Sequence, residues 1–467
     1  MNATNATNAA ARSPAAVFRV VLALALGTSV ALAQPGKPAA TAPDTPAGAA
    51  LTRLIEWING EDFDQPETFF DEAFLTAIPP ARLGMLRGQL VQQYFGPGEV
   101  SLVRIEQQLS PHELDAVIVG SKGAHMRTRL GLDMASGLMN RLNFAPAPEL
   151  DDTSPKTWED LLAALEALPG TITFGAYELT ADSDDQDSFA DLRAVATHNP
   201  DRALAIGSAF KLYVLGALGE AVAAGEHKWL DTVAVDDDIK SLPSGKMQLL
   251  PAGTALTLDA VATDMIRISD NTATDHLIHL LGRDAVEAYT LEHDPSADAW
   301  FPFLTTLDMF RLKLGGDDAL MTRYAEADLA ERRRLLAEDG PVDQLTPNML
   351  AATMWRAPRE IERLEWFASA RTLAALHARL NALANADRKI AAALRQNPGL
   401  PFDRNTWPDI AFKGGSEPGV ICFAWLLERN DGRQFALVMA WNDPAEPVDE
   451  SAAMDLALIA ATLLAEE

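Results

Sequence analysis

The tetrad Ser208-Ala209-Phe210-Lys211 is the only S-x-x-K in the chain, and it lies in the apolar, helix-forming run IGSAFKLYVLGAL. On a helix, positions i and i+3 share a face, so the Lys211 amine can reach the Ser208 hydroxyl. A serine is a weak nucleophile until a base takes its proton. A lysine can be that base when burial and a second cation lower its pKa toward ~7–8, and Phe210, Leu212 and Val214 make its surroundings apolar. Ser269-Asp270-Asn271 falls at a break between two helical segments, 258–268 and 272–281, where Ser269 and Asn271 can face a cleft. Lys413-Gly414-Gly415 opens the terminal hairpin, and glycines there let a substrate backbone lie along a strand edge. Taken singly, each triplet or tetrad has a plainer reading: a capping serine with a surface lysine, a solvated turn, a turn leading into a strand. His276 and His279 stand at i, i+3, but metal binding needs further ligands and no HExxH exists. They read as a surface pair, and neither a metal nor any other cofactor is expected.

These residues sit in a chain of 467, long enough for two or three domains. At 48% hydrophobic and 22% charged residues it has the composition of a globular protein with a large core. Lys and Arg number 38 against 66 Asp and Glu, a net charge of −28. Such a chain repels nucleic acid and anionic membrane surfaces. The single cysteine, Cys422, excludes an intramolecular disulfide and a Cys-rich metal site. Residues 1–33 read as a signal peptide. Arg12 and Arg19 precede an apolar run, Val20 to Ala33, that ends in the A-x-A pattern Ala31-Leu32-Ala33. The mature protein is expected to begin near Gln34, to be periplasmic or secreted, and to keep no stable membrane insertion after cleavage.

Residues 34–49, rich in Pro, Ala, Thr and Gly, read as a linker. Leu51, Leu54, Ile55 and Ile58 mark one helix, and Leu83, Leu86, Leu90, Val91 and Tyr94 a second stripe. Four short runs follow, 100–107, 114–119, 124–132 and 138–144, and read as antiparallel strands. Residues 50–149 thus form a small α+β domain, with a shape that resembles cystatin-like or steroid-isomerase-like folds. Asp133 and His125 are solvated strand residues in this reading. After a Pro-marked linker, a helix opens at Thr157 and a strand covers 171–179. Strands 420–427 and 434–441, joined across Asn430-Asp431-Gly432, and a helix over 448–465 mirror them at the chain end. Residues 157–467 are therefore expected to be one α+β domain: an antiparallel sheet flanked by helices from both ends, with the middle of the chain as a helical lobe.

In the order S-x-x-K, S-D-N, K-x-G, the three motifs resemble those of the serine β-lactamase and penicillin-binding protein superfamily. The stretch GTALTLDAVATDMIRISDNTATDHLI is similar to the second-motif helix pair of class A enzymes. With its added first domain the chain most resembles the two-domain β-lactamase-like esterases of clavulanic acid gene clusters. The resemblance implies a serine hydrolase acting through an acyl-enzyme on a small-molecule β-lactam, an ester, or a peptidoglycan-derived amide as a DD-peptidase. It implies Ser208 as nucleophile, Lys211 as its base and Ser269 as proton relay. Asn271 and Lys413 would position substrate, Gly415 would let it approach, and the N–H groups of Ser208 and Ser416 would form the oxyanion hole. The chain departs from the pattern twice. The third motif reads K-G-G, so a substrate-contacting hydroxyl is missing at Gly414, with Ser416 its nearest replacement. The loop that should carry a deacylating glutamate reads Trp300-Phe301-Pro302-Phe303-Leu304-Thr305-Thr306-Leu307 and holds no carboxylate. Asp308, on a helix, and the more distant Glu326 and Glu331 are the alternatives, and the helical stretch 319–395 is the expected insertion. A protein that binds a β-lactam or peptidoglycan fragment without turning it over is the rival expectation.

Overall fold

The computed structural model of the protein describes residues 40–60, 65–123, 125–147, 154–180, 191–242, 244–315, 317–338, 355–400 and 402–467. Two compact units divide after Ala147. The signal peptide expected over 1–33 lies outside the described residues. Among the described residues no helix is long and apolar enough to cross a membrane.

In the first unit, helix α1 (Pro46–Ile58) begins four residues inside the stretch read as linker. Thr45 explains the early start: its hydroxyl accepts the Gly48 N–H at 3.2 Å, and Pro46 takes the first helical position, where a missing N–H is harmless. Helices α2 (Glu72–Ala77) and α3 (Pro80–Leu90) follow. Strands β1 (Ser101–Ser110), β2 (Glu113–Val119), β3 (His125–Leu132) and β4 (Met139–Pro146) form an antiparallel meander in sequence order. Leu51, Leu54, Phe70, Phe74, Leu114, Ile118 and Leu130 fill the core between helices and sheet. Asp133 is not a strand residue. It closes the β3–β4 turn, where hydrogen bonds from the Ser136 backbone and hydroxyl hold its carboxyl below the usual range.

In the second unit the chain runs through α4 (Trp158–Glu166), β5 (Thr171–Thr180), β6 (Asp191–His198) and β7 (Leu204–Ala205). Next come α5 (Lys211–Ala223), β8 (Thr232–Ala234), β9 (Ala255–Thr257), α6 (Leu258–Arg267), α7 (Asn271–Leu281) and α8 (Arg283–His293). Helices α9 (Thr306–Leu314), α10 (Asp318–Glu326) and α11 (Leu329–Glu338) lead to β10 (Phe367–Ala368), α12 (Ala370–Ala386) and α13 (Arg388–Arg395). The chain ends in β11 (Asp409–Glu417), β12 (Val420–Glu428), β13 (Gln434–Asn442) and α14 (Glu450–Ala465). The sheet order β11-β12-β13-β5-β6 joins strands from both ends of the second unit in one antiparallel sheet, with β11 at an edge.

The two hairpin strands are apolar almost throughout because both faces of the sheet are covered. Side chains alternate between faces along a strand. Ile421, Phe423, Trp425 and Leu427, with Phe435, Leu437, Met439 and Trp441, pack against α4 and α14. The alternate positions Cys422, Ala424, Leu426, Ala436, Val438 and Ala440 face the helical lobe and α12. They are mostly small, which lets α12 lie close to the sheet.

The strand leading to the Ser208 turn is fixed from β13. The Asn442 carboxamide accepts the Ala205 N–H at 2.8 Å and donates to the Ala205 carbonyl at 3.0 Å, all of it buried. Asn442→Ala leaves both backbone groups unpaired. At about 1–3 kcal/mol for each buried group left without a partner, a loss of about 2–6 kcal/mol is expected. Urea titration of the purified variant reads it, and a change under about 1 kcal/mol would show that another group takes over.

Candidate active site

Gly207–Phe210 form one 3-10 turn that runs directly into α5. Residues three apart eclipse in such a turn, and this places Lys211 Nζ 3.3 Å from Ser208 Oγ. Ser208 is partly exposed, whereas Lys211 is wholly buried. The Lys211 nitrogen also lies 2.7 Å from the Ser269 carbonyl, 2.9 Å from Ser269 Oγ and 2.6 Å from Asn271 Oδ1. The Asn271 amide orientation is set by its Nδ2, which donates to the Leu242 carbonyl at 3.1 Å. Two of the four partners, a carbonyl and a carboxamide oxygen, can only accept. A neutral amine that gives its two N–H bonds to them keeps its lone pair for a serine hydroxyl. Burial first, and the Lys413 charge second, push the Lys211 pKa well below the ordinary lysine value, against the pull of Asp275 and Asp270.

Ser269 holds a left-handed backbone, φ +57°, which a residue with a side chain seldom adopts. Asp270 holds the turn in place. It caps α7 by accepting the Ala273 N–H at 2.9 Å, and it accepts the Lys246 and Met247 N–H groups at 2.7 and 2.9 Å. The Ser269 carbonyl also takes the Ser244 hydroxyl at 2.6 Å. Lys413, buried on β11, reaches Ser269 Oγ from the other side at 3.2 Å and donates to the Gly414 carbonyl. Burial lowers its pKa to about 7. Ser208, Lys211, Ser269, Asn271 and Lys413 thus converge.

Gly415 and Ser416 lie where the edge of β11 meets the Ser208 turn. A Cβ on Gly415 would sit 2.3 Å from both the Ile206 carbonyl oxygen and the Ser208 nitrogen, and one on Gly207 would sit 3.1 Å from the Ser416 nitrogen. Gly207 is itself at φ +47°. The amides of Ser208 and Ser416 are therefore on backbone segments in direct contact. Gly415→Ala must push these segments apart. Because one oxyanion donor is worth about 10²–10³ in rate, the acylation rate of the folded variant should fall by about that factor. An unchanged rate in stopped-flow acylation would separate Gly415 from the site.

The hydroxyl missing at Gly414 has no room. A Cβ there would meet the Phe412 ring at 2.8 Å and the Cys422 carbonyl at 3.1 Å. The Phe412 ring cannot easily move, because it rests on Gly399 and stacks on Trp425 with centroids 5.0 Å apart. Ser416, on the same strand face, is exposed.

The loop expected to carry the deacylating base is instead part of the core. Trp300, Phe301, Phe303 and Leu304 are buried. Phe303 meets the Phe210 ring edge-on at 5.7 Å, and Trp366 stacks on its face at 3.8 Å. Each of the three alternative carboxylates is engaged by an arginine. Asp308 closes a capping box with Thr305 and pairs with Arg283 at 2.8 Å. Glu331 pairs with Arg334 and Glu326 with Arg363, both away from the core. Sequence reasoning missed Asp275, one turn beyond Asn271 on an apolar helix. It is wholly buried and accepts the Thr306 and Leu307 N–H groups at 2.7 and 2.9 Å, which ties the start of α9 to α7. Burial raises its pKa to about 7.

Only one member of the histidine pair is at the surface: His279 is exposed, as expected, and His276 is not. His276 is buried; its Nδ1 lies 2.7 Å from the Thr272 carbonyl and its Nε2 accepts the Asp236 N–H at 2.9 Å. That pattern fits a neutral ring, and burial lowers its pKa. Among the described residues no group of three or more His, Cys, Asp or Glu side chains could hold a metal.

A partly exposed serine, a buried amine beside it and an edge strand in contact with the serine's turn define a site of the serine-hydrolase type. Residues 189–465 match the Beta-lactamase enzyme family, and the chain belongs to that family. Among solved structures it is similar to a β-lactamase from Sphaerobacter thermophilus DSM 20745, at 22% identity over 66% of this chain and 94% of that one, TM-score 0.40. It is also similar to a β-lactamase from Francisella tularensis, at 15% identity over 66% and 99%, TM-score 0.46. PBP-A matches at 16% identity over 69% and 100%, TM-score 0.45. No curated protein matches the chain.

Proposed function

We propose that the second unit is a serine hydrolase that transfers an acyl group from a β-lactam or an ester to Ser208 and releases it slowly. The Lys211 lone pair takes the Ser208 proton as Oγ bonds to the carbonyl carbon. The oxyanion accepts hydrogen bonds from the Ser208 and Ser416 amides. As the tetrahedral intermediate collapses, the bond to the leaving nitrogen or oxygen breaks; Ser269 gives that atom its hydroxyl proton and takes from Lys211 the proton that came from Ser208, which leaves the lysine neutral again. Lys413 holds Ser269 and makes a positive charge on Lys211 less favourable. The single observation carrying this reading is the fourfold environment of Lys211 Nζ, with two acceptor-only partners and two serine hydroxyls.

The aromatic packing of the 300–304 segment supports slow release, and small esters then become the better-turned-over substrates. That preference is the chain's point of contact with the two-domain esterases of clavulanic acid clusters; a DD-peptidase is the second enzymatic reading. The leader-like N-terminal sequence supports an exported, periplasmic or secreted protein. Intact-protein mass spectrometry after brief incubation with a penicillin and a cephalosporin tests the proposal. Mass gain equal to the whole β-lactam, located on Ser208, is expected. No mass gain and no substrate consumption with either compound or with an activated ester would overturn it. A gain that never decays, even with small esters, would make the protein a binder rather than an enzyme.

A further inference from the structure

Three buried charged side chains outside the catalytic cluster meet at one point. Lys313, on α9, is wholly buried, and its Nζ donates to Glu365 Oε1 and to Glu417 Oε1, each at 2.6 Å. The Glu365 and Glu417 side chains are 1% and 10% exposed, so only Glu417 keeps an edge toward water. Apolar residues of the same volume would hold a core at least as well as a buried ion pair does. Stability alone is therefore a weak reason for it.

Its placement gives a better one. Glu365 immediately precedes Trp366, whose carbonyl accepts the Ile206 N–H at 3.0 Å and whose ring stacks on Phe210. Glu417 immediately follows Ser416, whose nitrogen adjoins Gly207. Side chains on a strand alternate, so Glu417 shares the β11 face of Lys413 and Gly415. One carboxyl thus belongs to the segment that bonds to Ile206 just ahead of the Ser208 turn, and the other to the edge strand that adjoins Gly207. Lys313 bonds to both.

We propose that Lys313 is a positioning residue that, through Glu365 and Glu417, sets the spacing between the Ser416 amide and the Ser208 turn and so shapes the oxyanion pocket. This rests on Ser208 being the nucleophile. The charges agree with it. Burial, then the Glu365 charge, pushes the Glu417 carboxyl well above its usual range. Burial works against the Lys313 ammonium, but the two carboxyls more than offset it and raise its pKa. Both shifts work against a net negative charge beside the pocket where an oxyanion must form.

The test uses the full chain in three forms: wild type, Lys313→Met, and the triple variant Lys313→Met/Glu365→Leu/Glu417→Leu, whose apolar core keeps similar volume and is expected to fold. Single-turnover acylation by a small activated ester gives the rate constant and the non-covalent dissociation constant separately. A boronic acid, which forms a tetrahedral adduct on the serine, reports the pocket directly. In each folded variant the acylation rate should fall about 10- to 100-fold, with boronic acid affinity falling in parallel, because small misplacements of reacting groups cost this much. Ester dissociation constants should change less than about 3-fold, the split that marks loss of transition-state contacts alone. A triple variant that acylates at the wild-type rate would overturn the proposal, as would equal losses in rate and ester affinity. If Lys313→Met does not fold, the triple variant decides. Wild type that fails to acylate at Ser208 would instead overturn the functional reading beneath it.

Discussion

Ser208→Ala is expected to abolish acylation by penicillins, cephalosporins and activated esters while leaving the protein folded. The hydroxyl caps no helix: the turn that carries it has no side-chain cap, and α5 starts at Lys211. The bond lost is the long one from Lys211, at 3.3 Å. Lys211 keeps Ser269 and Asn271 as partners, so the stability change should stay within about 1 kcal/mol. The chemical loss is large because the oxyanion amides of Ser208 and Ser416 serve the Ser208 hydroxyl. Ser269, held by Lys211 and Lys413, is the proton relay of the same reaction, and Cys422 is buried with its thiol pushed up to about 12. The pH dependence of wild type follows from the same geometry. Only neutral Lys211 can take the Ser208 proton, so the acylation rate should rise with pH as Lys211 deprotonates, earlier than an ordinary lysine would. Burial and the Lys413 charge cause that early deprotonation. Pre-steady-state acylation of the folded mutant checks the first claim, and a pH series on wild type checks the second. A folded mutant acylated at the wild-type rate would place the nucleophile elsewhere.

Much of the fold could be read because its patterns are local. The alternation in β12 and β13, the stripe of α4 behind Thr157, and the four runs of the first meander each declare themselves within ten residues. What escaped has physical reasons. β6 carries Asp191, Arg193 and His198 at a sheet edge and buries little, so no apolar run marks it. The α1 start was hidden in a Pro/Ala/Gly stretch because proline is a helix breaker everywhere except the first turn. Within the site, the motif residues were legible because their chemistry is rare at that spacing. The residues that support them were not. Asp275, Lys313, Glu365 and Glu417 look like ordinary charged positions until the fold buries them, and nothing in a helix such as LDMFRLKL tells which lysine turns inward. Gly207 and Gly415 carried a weak signal beside Ser208 and Lys413. Their necessity appears only when the β11 edge is seen against the Ser208 turn.

Turnover of a β-lactam should be slow, and turnover of a small ester faster. Once Ser208 carries an acyl group, water must attack it with a base to take the proton. The 300–307 stretch offers none, and the structure fills the region beside Phe210 with Phe303 and Trp366. Asp308, Glu326 and Glu331 are each engaged elsewhere. Losing general-base assistance slows such a step roughly 10²–10⁴-fold. Lys211 is the remaining base, and it can serve only if the acyl group leaves water a path to it. A bulky β-lactam acyl group that stays attached through its opened ring blocks that path; the acetyl or butyryl group of a simple ester leaves it clearer. The expected result is a burst of cephalosporin consumption equal to the enzyme present, followed by a slow steady state, beside continuous turnover of the ester. A steady cephalosporin rate without a burst, surviving Asp308→Asn, Glu326→Gln and Glu331→Gln, would show that deacylation is not limiting and that a base outside these residues serves the acyl-enzyme.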